Sequence, residues 1–135
     1  MNASRLLMLL LMVGIVCLPG CGARPVTGGT KGSLRGGGSP LSDLQVTIHS
    51  QQTGAWTPIG FAVSSTDGTF ELFSNGAKGS LFLQPGEYRC TLESAGAPLR
   101  VPPVYARAET TPLKVLWPTP SQSLDLELPA LPMVR

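Results

Sequence analysis

The chain has 135 residues, a length that suits one domain, and only 13% of them are charged, with a formal net charge of +2. Its 10 Lys and Arg residues are scattered singly instead of forming a patch, which argues against a nucleic-acid partner. The 16 Gly, 13 Pro and short β-branched runs favour an all-β fold with many turns.

The first 20 residues differ in character from the rest of the chain. Arg5 precedes an apolar run from residue 6 to residue 18, and Pro19 and Gly20 follow it. These 13 residues are too few to cross about 30 Å of hydrocarbon but are typical of a signal-peptide core. We interpret residues 1–20 as a cleaved export signal with a helical core, in preference to a buried or membrane-spanning helix.

The residues around the predicted cleavage point resemble the bacterial lipobox. They read Leu18, Pro19, Gly20 and Cys21, and the resemblance implies that Cys21 becomes the lipidated mature N-terminus. Two or three acyl chains of the palmitate kind, at about 0.8 kcal/mol per buried methylene, hold a protein stably on a membrane. Ordinary cleavage near Ala23 is the alternative.

The residues after Cys21 have no apolar periodicity. Residues 21–29 are predicted to be a flexible tether with a typical span of about 15 Å. Gly22 lacks the acidic charge that retains many lipoproteins at the inner membrane, so the outer membrane is favoured. Cys90 is then the one free thiol, and its parity with neighbouring apolar residues predicts a small core residue; a reactive thiol is the alternative.

Apolar residues alternate with a period of two from residue 30 to residue 128. Two turns punctuate this pattern: Asp67-Gly68 is predicted to close a hairpin, and Pro85-Gly86 to feed a strand. We predict one seven-stranded antiparallel β-sandwich over residues 30–128, followed by a loose tail at 129–135. The predicted strands are Lys31–Arg35, Leu44–His49, Ile59–Val63, Phe70–Leu72, Tyr88–Leu92, Leu113–Trp117 and Leu124–Leu128.

Several of these motifs occur in the order found in a known family. Pro40-Leu41, then Asp67-Gly68-x-Phe70-x-Leu72, then Leu83-x-Pro85-Gly86-x-Tyr88 resemble the carboxypeptidase regulatory-like domain, a transthyretin-like β-sandwich. The Cys21 start with Pro25-Val26-Thr27-Gly28, and the later Pro103-x-Tyr105, resemble small planctomycete lipoproteins that carry this domain. The resemblance implies a sandwich in the cell envelope, but no chemistry.

The residues that could carry catalysis do not converge in the sequence. His49 is predicted to face away from the core and Cys90 to face into it, which disfavours a Cys-His nucleophilic pair. The acidic residues show neither calcium-loop spacing nor a paired arrangement, and a zinc site would lack ligands. We therefore expect neither an enzyme nor a metal or other cofactor.

Two functions fit this composition. The first is a structural or protein-interaction module that contacts another envelope protein through a strand edge or loops. The alternative is a carbohydrate- or small-ligand-binding domain that uses Trp56, in a predicted loop at 51–58, and Tyr105 as stacking aromatics. If the first is right, we expect Trp56 to fold back onto the sandwich and Tyr105 to close over a sheet edge. The oligomeric state is not determined by the sequence.

Overall fold

A computed structural model describes residues 28–117 and 122–133 of the chain. The predicted signal peptide and the lipobox residues Leu18, Pro19, Gly20 and Cys21 lie outside this range. Within it, single 3-10 turns occur at Asn75–Ala77 and Pro103–Ala106, and no helix is long and apolar enough to cross a bilayer. The strands are β1 (Lys31–Gly36), β2 (Ser39–Pro40), β3 (Leu44–Gln52), β4 (Ala55–Val63), β5 (Thr69–Glu71), β6 (Phe73–Ser74), β7 (Gly86–Ser94), β8 (Lys114–Trp117) and β9 (Leu124–Leu128).

The strands form two sheets that pack as a β-sandwich, which confirms the predicted all-β class. In the first sheet, β1 is central, with β9 on one side and both β2 and β5 on the other. The second sheet has the order β6-β4-β3-β7-β8, and every pair in it is antiparallel.

Two details of the predicted sandwich are wrong. The described chain has nine strands instead of seven, because β2 and β6 are two residues long and too short to show alternation. The sheets are not wholly antiparallel either, because β9 runs parallel to β1, with Leu34 opposite Leu126. A parallel pair needs a long connection, and here almost the whole domain lies between the two strands.

Two-residue turns build the hairpins. Thr53 and Gly54 join β3 to β4 with φ values of 47° and 82°. Gly37 and Gly38 join β1 to β2 with φ values of 59° and 83°. Positive φ at both central positions is the turn geometry that matches the right-handed twist of paired strands.

The Asp67-Gly68 corner does not close a hairpin, contrary to the sequence prediction. It connects β4 in the second sheet to β5 in the first, so the chain changes sheets here. Asp67 Oδ1 accepts hydrogen bonds from Ser65 Oγ at 2.7 Å, Thr69 Oγ1 at 2.6 Å and the Thr69 N–H at 3.1 Å. Gly68 has φ of 80°, and a Cβ there would lie 2.6 Å from the Leu34 carbonyl oxygen. Glycine is required at this position because both the backbone angle and the space exclude a side chain.

The core is made by alternate side chains of both sheets that point into the space between them. Cys90 is fully buried among them, as its parity predicted. The fully or almost fully buried members include Leu34, Leu72 and Leu124 from the first sheet and its connections, and Leu44, Val46, Ile48, Ala62, Leu92 and Trp117 from the second.

Both ends of the domain differ from the predicted boundaries. The first described residue is Gly28, and its N–H donates to Glu71 Oε2 at 2.9 Å, so the last two residues of the predicted tether belong to the domain. Residues 129–133 are not loose, because the Arg100 N–H donates to the Pro132 carbonyl at 2.8 Å and Leu131 packs against the core.

We expect the Asp67 turn to make stability depend on acid pH. Hydrogen bonds from the Thr69 and Ser65 side chains, and from the Thr69 backbone, lower the pKa of Asp67 to about 2. A carboxyl group whose pKa is lower in the folded state stabilises the fold above its unfolded pKa, and this contribution is lost as pH falls through about 2. Asp67→Asn should therefore lower the free energy of unfolding at pH 7, measured by urea denaturation. The difference from wild type should shrink as the pH approaches 2; an equal difference at both pH values would contradict this role.

Candidate functional site

The outer edge of β8 is open. Within the described residues, β8 pairs with β7 and has no strand on its other side. Tyr88 lies opposite Val115, and the Cys90 N–H donates to the Leu113 carbonyl at 2.9 Å. Because the direction of hydrogen bonding alternates along an antiparallel strand, the backbone N–H and C=O of Leu116 point away from β7. The Leu116 side chain is also 75% exposed, so β8 presents both free backbone groups and an apolar side chain.

The other edge of the second sheet is closed by the chain itself. The Ser74 N–H donates to the Gly79 carbonyl at 2.8 Å, and the Leu81 N–H donates to the Leu72 carbonyl at 3.0 Å. Phe73 also forms a bridge with Ser80. These contacts use the backbone groups that an added strand would need, so among the described residues the β8 edge is the one on this sheet without a neighbour.

A groove of about 380 Å³ lies between β8 and β9, where the edges of the two sheets face each other. Lys114 lies on the β8 side, and Asp125 and Glu127 lie on the β9 side. Asp125 accepts hydrogen bonds from Ser33 Oγ and Ser123 Oγ, both at 2.8 Å, which fix its carboxylate on the β9 wall. The groove therefore has one basic and one acidic wall.

Trp56 lies on a strand and not in the predicted loop. It belongs to β4 and is half-buried, and the turn before it is reduced to Thr53 and Gly54. The Arg89 guanidinium carbon lies 4.4 Å from the centre of the Trp56 ring, and Arg89 also donates to the Ala108 carbonyl at 2.9 Å. The indole is thus held against the outer face of the sheet by a cation–π contact.

A second, smaller groove of about 220 Å³ lies beside Trp56 on the outer face of the second sheet. Its walls include Arg89 and Lys114, with Glu87 as the one acidic side chain among them, and it reaches the exposed Leu116. Two cations beside an aromatic ring favour an anionic ligand over a neutral one.

Tyr105 does not share a surface with Trp56. Its ring is only 6% exposed and belongs to the core, in the 3-10 turn Pro103–Ala106. Two hydrogen bonds fix the turn. The Tyr105 N–H donates to the Pro102 carbonyl at 3.0 Å, and Thr110 Oγ1 donates to the Val104 carbonyl at 2.9 Å. The prediction that Tyr105 offers a stacking face is therefore wrong, because the local turn directs its ring inward.

His49 and Cys90 lie on opposite faces of the second sheet, as their parities predicted. His49 Nε2 is 3.0 Å from Thr91 Oγ1 on the outer face, whereas Cys90 points into the core. Burial lowers the pKa of His49, and the negative charge of Glu109 opposes that shift. In the described part of the chain, no three His, Cys, Asp or Glu side chains come together as a metal site.

The edge at Lys114 and Leu116 was not predicted from the sequence. The signal was present, because these two residues alternate with Val115 and Trp117, so one pair must face outward. Parity alone does not say which pair faces out, and it does not say that β8 ends the sheet.

We expect Cys90 to be unreactive in the folded protein. Burial raises the pKa of its thiol to about 12, and the thiolate is the reactive species. A chain that begins at Gly22, which has Cys90 as its sole thiol, should react with an aromatic disulfide reagent only after guanidinium unfolds it. The absorbance of the released thiolate gives the measurement. Rapid stoichiometric reaction of the native chain at mildly alkaline pH would restore the reactive-thiol interpretation.

Three comparisons with known proteins found no match for the chain. No protein-family model, no curated protein and no solved structure matches the chain. The resemblance to carboxypeptidase regulatory-like domains rests on the motifs quoted above.

Proposed function

We propose that the chain is an exported cell-envelope protein, anchored through acylated Cys21, whose β-sandwich is a protein-interaction module of the carboxypeptidase regulatory-like, transthyretin-like type without catalytic activity. The observation that carries the interaction role is the unpaired outer edge of β8, with Leu116 exposed beside its free backbone groups. The favoured location is the outer membrane.

The anchor is supported by the lipobox and by where the domain begins. Cys21 follows Leu18, Pro19 and Gly20, and the first described residue is Gly28. Only residues 22–27 separate the predicted lipid from the domain, so the sandwich is held close to the membrane in which a partner would also be embedded or attached.

The interaction role is supported by what the β8 edge can bind. An incoming strand would accept a hydrogen bond from the Leu116 N–H and donate one to its C=O, as in β-augmentation. Because β8 is only four residues long, backbone bonds alone would be few, and apolar contact with Leu116 would add to them. The basic Lys114 wall and the acidic Asp125 wall of the adjoining groove favour a partner strand with charges of both signs.

We expect Cys21→Ala to abolish membrane attachment. The full chain expressed in a lipoprotein-processing bacterium should lose residues 1–20 and gain the mass of two or three acyl chains. Intact mass spectrometry and detergent partitioning of the two proteins measure this. Cleavage near Ala23 with a freely soluble product would overturn the anchor.

We expect a photo-crosslinking amino acid at position 116 to capture an envelope protein in living cells. The same group at Thr66, in the exposed turn between the sheets, is the matched control. Leu116→Pro removes an N–H that points away from β7 and has no partner strand among the described residues, so the free energy of unfolding should be unchanged. With the crosslinker moved to Lys114, this substitution should reduce capture several-fold. Equal capture from positions 116 and 66, or none from 116, would count against the edge.

Ligand binding is the second candidate function, and one observation favours it: Arg89 and Lys114 lie beside the half-buried Trp56 in the smaller groove. This arrangement suits an acidic oligosaccharide better than a neutral one. Saturable quenching of tryptophan fluorescence by such a sugar, lost in Lys114→Ala, would favour this function over the edge interaction.

A further inference from the structure

We propose that the end of the sandwich where the chain enters carries a membrane-facing patch of Phe82 and Lys78, which seats the domain on the bilayer that holds the Cys21 lipid. This inference rests on the proposed lipid anchor. It goes further by assigning the orientation of the domain and the side chains that touch the headgroup region.

The chain enters the sandwich at a rigid point beside Phe82. The Thr30 N–H donates to the Leu81 carbonyl at 2.8 Å, and Thr30 Oγ1 accepts from the Leu83 N–H at 2.9 Å. Gly29 is buried against the backbone of Leu72 and Leu81, and a Cβ at this position would collide with the Leu72 carbonyl. The segment 81–83 therefore runs directly alongside residues 29 and 30 and is hydrogen-bonded to Thr30 on both sides of Phe82.

Phe82 is the residue of this segment that the core does not use. Leu83 is fully buried and Leu81 packs against the core, but the Phe82 ring is 55% exposed. A Phe ring beside a lipid anchor can bury its apolar surface at the boundary between headgroups and acyl chains, as the Trp, Phe and Leu side chains of interfacial helices do.

An exposed cation, Lys78, lies four residues before Phe82 in the chain. Lys78 is exposed and precedes Gly79, whose carbonyl is bonded to the Ser74 N–H. Lys78 makes no ion pair within the described residues, whereas Lys31 at the start of β1 lies 3.9 Å from Glu71. An unpaired Lys near the bilayer is attracted to anionic headgroups.

The short tether limits how far the entry end can lie from the predicted lipid. Fully extended, the seven steps from Cys21 to Gly28 span at most about 25 Å, at roughly 3.3–3.6 Å per residue. As a flexible coil, a segment of this length has a typical span of about 15 Å. Gly28 is therefore held within about 25 Å of the lipid, which favours the entry end as the one that faces the bilayer. By contrast, Gly37 at the far end of β1 lies against Ala130, which places the segment leading to Met133 away from it.

The test uses the full chain, processed and purified from a lipoprotein-processing bacterium, in vesicles of phosphatidylethanolamine and phosphatidylglycerol. Intact mass first establishes acylation. Hydroxyl-radical footprinting then compares oxidation of Phe82 with that of Met133, which is 61% exposed and serves as the internal control. The reference is the soluble Cys21→Ala protein. We expect several-fold protection of Phe82 on vesicles and no protection of Met133.

A second measurement tests whether Phe82 itself seats the domain on the bilayer, or whether Lys78 is protected only because the anchor holds it near the membrane. Acetylation of Lys78 by a water-soluble reagent, relative to Lys114, should be slowed on vesicles and should recover in Phe82→Ser but not in the matched variant Met133→Ser. Both substitutions replace exposed side chains, so the fold is expected to persist. Equal oxidation of Phe82 on vesicles and in solution, in protein shown to be acylated, would overturn the patch and leave the anchor standing.

Absence of acyl mass would instead overturn the anchor, and the patch then has its own test. A chain beginning at Cys21 can be coupled through that thiol to a maleimide lipid in the same vesicles, because Cys90 is buried. Protection of Phe82 in this attached form would support the patch. Unprotected Phe82 there would overturn it. If Phe82 is protected from oxidation at high protein concentration without vesicles, the ring is covered by self-association, and this would also overturn the membrane-facing patch.

Discussion

The parallel pairing of β1 with β9 determines how the rest of the sandwich is arranged. Leu34 of β1 lies opposite Leu126 of β9, so the last strand of the described chain completes the sheet begun by the first. Because β9 belongs to the first sheet, β8, which precedes it, is left as the final strand of the second. The β1–β9 pairing that closes the core thus leaves the β8 and β9 edges unpaired with each other, with a groove between them.

Local polar contacts reinforce this long-range arrangement where the chain changes sheets. Asp67 organises the turn between β4 and β5 through three short hydrogen bonds, and Gly68 lets that turn approach the Leu34 carbonyl. At the start of the domain, Thr30 joins the entering chain to residues 81–83. These hydrogen bonds hold the chain at both places. The surface features of the two sheets therefore have defined positions relative to one another.

The histidine and the free thiol of the described residues lie on opposite faces of the second sheet. The single histidine lies on the outer face with Thr91, and the free thiol of the domain is buried in the core with a raised pKa. The accessible groups are instead a strand edge at Leu116, cations at Arg89 and Lys114, and an aromatic ring at Phe82. These suit contact with a strand, an anionic ligand and a lipid surface, respectively.

The sequence determined the features that depend on neighbours along the chain. Alternation located all the longer strands, the parity of Cys90 placed it in the core, and Pro85-Gly86 marked the start of β7. Alternation is a local property and carries no information about which strand will pair with which. Only the tertiary structure decided that β4 and β5 belong to different sheets, that β9 is parallel to β1, and that the Tyr105 ring is buried. Each of these depends on contacts between distant residues, and so does the open edge at Leu116, because an edge exists only when every other strand has found its partner.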